Sequence, residues 1–195
     1  MVISTLQAAG FEVVGAFDDD PRKWGHTVLG VPVLGPIEAV EALTDARGII
    51  AVGDNAVRKS LAARFAQLEW LSVIHPKAYV HHTVQLGVGT VVFAGAVIQP
   101  AARVGEHGII NTAASIDHDC AIGAYAHIAP GAHIAGGVSM GEGTFMGIGS
   151  SVVPGLAIGS WSVVGAGGVV IEDLPSWVVA VGVPARVIKT RSKRA

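Results

Sequence analysis

The chain has 195 residues, of which 51% are hydrophobic and only 14% are charged, a composition that predicts a folded protein with a substantial core. Its formal net charge of −2 argues against a nucleic-acid-binding protein, which needs a concentrated basic surface to neutralise phosphates. The single cysteine cannot form an internal disulfide and the N-terminal residues do not resemble a signal peptide, so we expect a cytoplasmic protein that acts on small molecules.

Residues 1–74 alternate between helical and extended patterns, which predicts a small α/β domain with a parallel sheet. In chain order the segments are helical STLQAAG, extended FEVVGAF, helical IEAVEAL, extended GIIAVG and helical NAVRKSLAARFAQLEW. Asp18 and Asp19 follow one predicted strand, and Gly53 and Asn55 follow the next, where open α/β sheets bind ligands. Asp54 or Asn55 equally suits the N-cap of the third helix.

A six-residue repeat replaces this alternation after His75 and Pro76. Every sixth residue from Val80 to Val170 is aliphatic or methionine. The fourth residue after most of these positions is small: Ala96, Ala102, Gly108, Ala114, Cys120, Ala126, Ala132, Thr144, Ser150, Ser162 and Gly168. A period of six fits a β-solenoid whose short strands stack coil upon coil, and it fits neither a helix nor an alternating strand.

The residue directly after the aliphatic position is often glycine or asparagine, as at Gly87, Gly105 and Asn111. These residues suit corners in which the backbone adopts positive φ. Residues 143–171 carry no Asp, Glu, Lys or Arg, but eight glycines and a proline interrupt them, so we predict no membrane insertion.

The eight histidines raise the possibility of a zinc site. His82 and His118 share a phase of the six-residue repeat but are 36 residues apart, and His127 and His133, which share another phase, lie in neighbouring hexads and therefore on different faces; we therefore expect no metal. Cys120 is adjacent to the Asp117–Asp119 stretch, but it occupies the small-residue position, which favours a packed, unreactive thiol over a nucleophile.

The repeat resembles the hexapeptide-repeat acyltransferases, whose fold is a left-handed parallel β-helix with three hexads in each turn. The stretch NTAASIDHDCAIGAYAHIAPGAHIAGGV, together with MGIGSSVVPG and VGVPARVIK, resembles more specifically the sugar acetyltransferases of the sialic-acid O-acetyltransferase and bacillosamine (NeuD/PglD-like) type. FDDDP and IIAVGDNAVRK extend this resemblance over almost the whole chain. Members of this family N-acetylate nucleotide-linked 4-amino sugars.

The resemblance implies a mostly β protein in which a left-handed parallel β-helix, residues 75–182, follows a small α/β Rossmann-like domain, residues 1–74. Compared with these relatives, the sequence begins at the helix that follows their first strand and Gly-rich turn, so we expect either a start that lies further upstream or a domain without these two elements. Residues 183–195 form a basic C-terminal segment, predicted to be a solvated tail or to contact a ligand phosphate.

The resemblance also implies the roles of individual residues. His118 is the general base, Asp119 supports its imidazole, and Asp117 shares in orienting it. Gly136 offers its backbone N–H to the thioester oxygen. The predicted contacts to acetyl-CoA, a co-substrate, are His127, Gly136, Ile148 and Ala166, and the predicted contacts to the nucleotide sugar are Asp18, Asp19, Gly53, Asn55 and Asn111.

The sequence therefore predicts a cytoplasmic, homotrimeric, acetyl-CoA-dependent N-acetyltransferase that acts on a nucleotide-linked amino sugar by direct attack. Three alternatives stay open at this point: O-acetylation of the sialic-acid type, a zinc hydratase of the γ-carbonic-anhydrase type, and a scaffold without catalytic activity.

Overall fold

The computed structural model describes residues 1–43 and 46–192. Before the coil, the elements are α1 (Val2–Ala8), β1 (Ala16–Phe17), a 3-10 helix (Pro21–Lys23), β2 (Thr27–Val28), β3 (Val31–Gly35), a second 3-10 helix (Ile37–Ala42), β4 (Arg47–Gly48), α2 (Asn55–Arg64) and β5 (Glu69–Trp70). Among the described residues, no helix is long and apolar enough to cross a membrane.

The N-terminal part differs from the single parallel sheet that we predicted. β1 pairs parallel with β3 and β3 pairs antiparallel with β2, while β4 and β5 form a separate parallel pair. The IEAVEAL segment forms a 3-10 helix rather than an α-helix, and Pro36 directly precedes it. Only two residues of FEVVGAF, Ala16 and Phe17, are paired in a sheet.

The rest of the chain winds into coils of two-residue strands. In chain order they are β6 Val73–Ile74, β7 Tyr79–Val80, β8 Gln85–Leu86, β9 Val91–Val92, β10 Val97–Ile98, β11 Arg103–Val104, β12 Ile109–Ile110, β13 Ser115–Ile116, β14 Ala121–Ile122, β15 His127–Ile128, β16 His133–Ile134, β17 Ser139–Met140, β18 Phe145–Met146, β19 Ser151–Val152, β20 Ala157–Ile158, β21 Val163–Val164 and β22 Val169–Val170. Two longer strands, β23 (Val178–Val181) and β24 (Arg186–Thr190), follow.

These strands form three parallel sheets in which residues eighteen apart are paired, as Ile98 is with Ile116. The exception is the pairing of β21 with β23, in which Val163 is paired with Val179. The first sheet runs from β7 through β10, β13, β16 and β19 to β22; the second from β8 through β11, β14 and β17 to β20; and the third from β6 through β9, β12, β15, β18 and β21 to β23, with β24 antiparallel at its end. Three hexads therefore make one coil.

Three corners join the sheets. The first corner, between the first and second sheets, comprises residues 81–84, 99–102, 117–120, 135–138 and 153–156. The second corner, between the second and third sheets, comprises 87–90, 105–108, 123–126, 141–144 and 159–162. The third corner, between the third and first sheets, comprises 75–78, 93–96, 111–114, 129–132, 147–150 and 165–168.

The core runs through the centre of the coils. From Val92 onward every position of the six-residue aliphatic series is buried, and Val80 and Leu86, at the open end, are half-buried. The small residues predicted from the repeat are buried beside them, and Ala96, Ala114 and Ala126 are fully inaccessible to solvent. Each strand alone buries too little to be stable, so stability depends on stacking successive coils.

The prediction of positive φ directly after the aliphatic position is wrong. Positive φ occurs two residues later, for example at Gly89, His107 and Tyr125. Gly87 and Gly105 are glycines for another reason: a Cβ at Gly87 would lie 2.3 Å from the backbone N of Glu106, and one at Gly105 would lie 2.5 Å from that of Ala124. These glycines allow the backbones of successive coils to approach closely.

Helix α2 is fastened to the second corner by a buried arginine. Arg58 is 1% exposed, and its guanidinium donates to the backbone oxygens of His107 (2.8 Å) and Tyr125 (2.7 Å) on the coil and of Val52 (3.0 Å) in the preceding loop. Asn55 supports it, because its Oδ1 accepts from Arg58 while its Nδ2 donates to the carbonyl of Gly143 (3.0 Å). Burial lowers the pKa of Arg58 to about 10, so it stays charged at neutral pH.

Lys59, the next residue of α2, enters a gap in a column of aromatic rings. His107 stacks on Tyr125 and Trp161 stacks on Trp177, but Gly143 separates the two pairs. A Cβ at Gly143 would lie 2.4 Å from the Trp161 ring, so the position admits no larger residue. The Lys59 ammonium lies 6.0 Å and 5.6 Å from the Tyr125 and Trp161 ring centroids and pairs with Glu142.

Replacing Arg58 by methionine should destabilise the protein strongly. The carbonyls of His107 and Tyr125 would stay buried without this donor, and each unsatisfied buried group costs about 1–3 kcal/mol. We expect chemical denaturation to show a loss of at least about 2 kcal/mol for Arg58→Met and a change within about 0.5 kcal/mol for Arg103→Met, whose side chain is exposed on the second sheet. Equal losses for both variants would contradict this account.

Candidate active site

His118 projects from the first corner with one of its ring nitrogens engaged. Its side chain is 61% exposed, and Nδ1 lies 2.8 Å from Oδ2 of Asp119. Because a carboxylate accepts a hydrogen bond, this contact places the proton on Nδ1 of the neutral ring and leaves the lone pair on Nε2. His118 can therefore accept a proton from a group outside the corner.

Two carboxylates favour the protonated form of this histidine. The hydrogen bond that His118 donates to Asp119, followed by the charge of Asp117, raises the pKa of His118 above its usual value of 6.5. Asp117 acts without touching the ring, because its Oδ1 accepts from the backbone N–H of His118 at 2.8 Å. The two residues therefore differ: Asp119 fixes the tautomer, and Asp117 fixes the corner backbone.

Asp119 adopts the left-handed backbone conformation, with φ of 59°. Aspartate tolerates this region better than most non-glycine residues, because its short polar side chain makes local hydrogen bonds. Its backbone N–H donates to the carbonyl of Pro100 one coil earlier (3.1 Å). This conformation directs the carboxylate of Asp119 back onto the ring of its neighbour.

Gly136 lies one coil further along, directly beside the ring. A Cβ built on Gly136 would lie 2.7 Å from Nε2 of His118, so only glycine leaves this ring in place. The N–H groups of Ala135 and Gly137 donate to the carbonyls of Val152 and His118. Within the described residues the Gly136 N–H has no acceptor.

Cys120 does not take part in this arrangement. Its side chain is 1% exposed inside the coil, and Sγ donates to the carbonyl of Ala135 at 3.2 Å. Burial raises the pKa of the thiol, which keeps it from the thiolate form that attacks electrophiles. The cysteine therefore packs as the repeat indicates.

Asn111 and His127 form a second polar pair on another edge of the coil. Nδ2 of Asn111, at the third corner, lies 3.1 Å from Nε2 of His127 on the third sheet. Oδ1 of Asn111 accepts from the backbone of Thr112, which identifies Nδ2 as the group facing His127. Burial, aided by the charge of Arg58, lowers the pKa of His127 to about 4, so it is neutral at physiological pH.

Ile148 and Ala166 occupy equivalent positions of the third corner in successive coils. Both side chains are exposed, and Gly167, next to Ala166, donates to the carbonyl of Ile148 at 2.8 Å. Together with Asn111 they mark the edge of the first sheet opposite to the edge that bears His118. One chain therefore presents the predicted contacts to acetyl-CoA on two separate edges.

The predicted contacts in the N-terminal part lie in two places. Asp18 pairs with Lys23 (2.6 Å) and Asp19 accepts from the backbone of Ile37 (2.9 Å), both in the loops that follow β1. Gly53 and Asn55 lie instead at the start of α2, where Asp54 is the N-cap. The side-chain amide of Asn55 is already engaged with the coil and with Arg58.

Sequence reasoning missed the residues that join the two parts of the chain. Arg58 and Lys59 appear in the sequence only as members of a predicted helix, since nothing in the local pattern distinguishes a buried arginine from an exposed one. The hexad pattern likewise does not predict that Trp161 and Trp177 stack on one another. Among the described residues, no three His, Cys, Asp or Glu side chains converge in a way that could hold a metal ion.

Comparison with known proteins places this geometry in a family. The PglD N-terminal domain family matches residues 1–65. PerB from Caulobacter crescentus, solved with CoA and GDP-perosamine, is 44% identical over 96% of this chain and 91% of that chain, with a TM-score of 0.89. The chain belongs to the PglD/NeuD-like family of nucleotide-amino-sugar N-acetyltransferases. Membership confirms the family and the fold class predicted from the motifs.

Two further solved structures resemble this chain over the same share of its length. The acetyltransferase domain of PglB from Neisseria gonorrhoeae is 34% identical, over 96% of this chain and 93% of that chain, with a TM-score of 0.92. WeeI from Acinetobacter baumannii is 27% identical, over 96% and 90%, with a TM-score of 0.83. Among curated proteins, the uncharacterized protein L142 of Acanthamoeba polyphaga mimivirus is 29% identical over 109 residues, and the chain spans 22% of that protein's length.

The two histidines of this family member should titrate in opposite directions. We expect NMR of the side-chain nitrogens to give a pKa above 6.5 for His118 and a pKa for His127 low enough to keep it neutral above pH 6. Asp119→Asn should lower the pKa of His118, because it removes the carboxylate that stabilises the imidazolium. A His118 pKa at or below 6.5 in the native protein, or one unchanged in Asp119→Asn, would contradict the geometry.

Proposed function

We propose that the chain transfers the acetyl group of acetyl-CoA to the amine of a nucleotide-linked amino sugar, with His118 as the general base. The observation that carries this proposal is the corner at which the free Nε2 of His118 faces the backbone of Gly136. It is supported by the likeness to PerB, whose crystal structure contains CoA and GDP-perosamine.

The reaction is a direct attack. The amine nitrogen forms a bond to the thioester carbon, the C–S bond breaks, and its electron pair leaves with the sulfur of coenzyme A. His118 Nε2 takes the proton that the nitrogen loses and returns it to the departing thiolate. Asp119 holds the ring during both transfers and stabilises the imidazolium between them.

The negative charge that develops on the thioester oxygen needs a donor. The Gly136 N–H fits this role, because it has no acceptor among the described residues and lies beside His118. A donor fixed in the backbone requires no reorganisation when the charge appears. The buried Cys120 agrees with transfer that involves no acyl-enzyme intermediate.

We further propose that a cytoplasmic homotrimer unites the two edges of the coil. His118 and Gly136 lie at the first corner, whereas Asn111, Ile148 and Ala166 lie at the third corner, and the whole first sheet separates them in one chain. A site that contains both sets needs a neighbouring subunit, which a closed cyclic assembly provides. Asn111 and His127 of one subunit then face His118 of the next.

The proposal is tested by following thiol release from acetyl-CoA over a panel of 3-amino and 4-amino nucleotide sugars. We expect release with at least one amino sugar and a decrease in kcat of about 10²–10⁴-fold for His118→Asn, the range typical of a lost general base. The matched control is His82→Asn, since His82 is exposed at the same corner two coils earlier, and it should retain full activity.

Three results would contradict the proposal. Full activity in His118→Asn would show that His118 is not the general base. Absence of thiol release with every amino sugar tested would contradict the proposed reaction. Acetylation of a sugar hydroxyl in preference to an amine would assign the chain to O-acetyl transfer instead.

A further inference from the structure

An open groove of about 940 Å³ lies between helix α2 and the last coils. Gly53 and Lys59 line its α2 side, Trp161 and Trp177 line the second corner, and Lys189 and Arg191 come from the C-terminal segment. We call this the α2 groove. It joins the loop predicted to contact the nucleotide sugar to the basic segment that follows the repeat.

The two tryptophans of the α2 groove occupy the position at which successive coils adopt positive φ. Trp161 and Trp177 have φ of 60° and 63°, and Gly89, Tyr125 and Gly143 also have positive φ at this position in other coils. The two rings stack with their centroids 5.6 Å apart and an interplanar angle of 18°, and both side chains are partly exposed.

The α2 groove is positively charged although the chain as a whole is not. Lys59 is paired with Glu142, and Asp54 caps helix α2. Arg191 donates to the carbonyl of Trp161 at 2.6 Å, and neither Arg191 nor Lys189 has a carboxylate partner among residues 1–43 and 46–192. Two cations beside two partly exposed indole rings are the chemistry that binds a base and its phosphates.

We propose that the α2 groove binds the nucleoside phosphate end of one of the two substrates, with the base against Trp161 and Trp177 and the phosphates on Lys189 and Arg191. This inference rests on the proposed function, in which the acetyl donor and the acceptor both carry a nucleotide. It adds Trp161 and Trp177 to the predicted contacts, and it assigns to Lys189 and Arg191 the phosphate contact that is one of the two predictions for the C-terminal segment.

The test varies each substrate in turn with Lys189→Glu, a charge reversal at an exposed side chain that should leave folding intact. We expect KM to rise about tenfold or more for one substrate, with kcat within about twofold of the native value, because a phosphate contact remote from the reacting atoms contributes to binding in the ground and transition states alike. The substrate whose KM rises is the one that the groove holds. Lys77→Glu, an exposed residue at the third corner, should change neither KM.

A binding measurement separates this inference from the proposed reaction. In a Trp24→Phe/Trp70→Phe background only Trp161 and Trp177 contribute tryptophan fluorescence. Titration with coenzyme A, guanosine diphosphate and uridine diphosphate should quench this emission for at least one of them, and Lys189→Glu should weaken that binding about tenfold or more. Failure of acetyl transfer with quenching intact would count against the proposed function alone. The inference would be overturned if the native protein transfers acetyl groups, no ligand quenches the fluorescence of Trp161 and Trp177, and both KM values are unchanged in Lys189→Glu.

Discussion

The structure depends on one constraint, the pairing of residues eighteen positions apart in the two-residue strands from β6 to β22. A coil of three hexads repeats its corners, so a residue is brought against its counterpart in the next coil rather than against a sequence neighbour. Gly136 lies beside His118 for this reason, and any larger residue at position 136 would displace the imidazole. The candidate base and the candidate oxyanion donor are thus consequences of the same register that buries the aliphatic core.

The same register explains how the N-terminal part is attached. At the second corner a column of aromatic rings is interrupted at Gly143, and Lys59 of α2 lies in this gap. The adjacent Arg58 donates to the backbone carbonyls of His107 and Tyr125. Arg58 also contacts Val52, in the loop that precedes α2, and its charge helps to keep His127 neutral. One buried cation therefore links the predicted nucleotide loop to the third sheet.

The sequence is sufficient to predict what depends on periodicity and local pattern. The hexads predict the coil, and the DHD stretch predicts the contact between His118 and Asp119, because neighbouring residues at a corner meet regardless of the rest of the fold. Gly143, which accepts from the side chain of Asn55, is 88 residues away from it, and the burial of Arg58 depends on docking that no local pattern encodes. The predicted position of positive φ is two residues too early. Glycine is selected both where successive coils approach closely and where the backbone is left-handed, and the sequence does not distinguish the two.

The central claim is that His118 and the Asn111–His127 pair act in one site although they lie on different edges of a chain. Mixing His118→Ala subunits with Asn111→Ala/His127→Ala subunits before reassembly tests it directly. A site shared between neighbours should restore about a quarter of native activity, since one pairing in four unites two intact halves. Activity no higher than that of the two variants measured separately would contradict the claim.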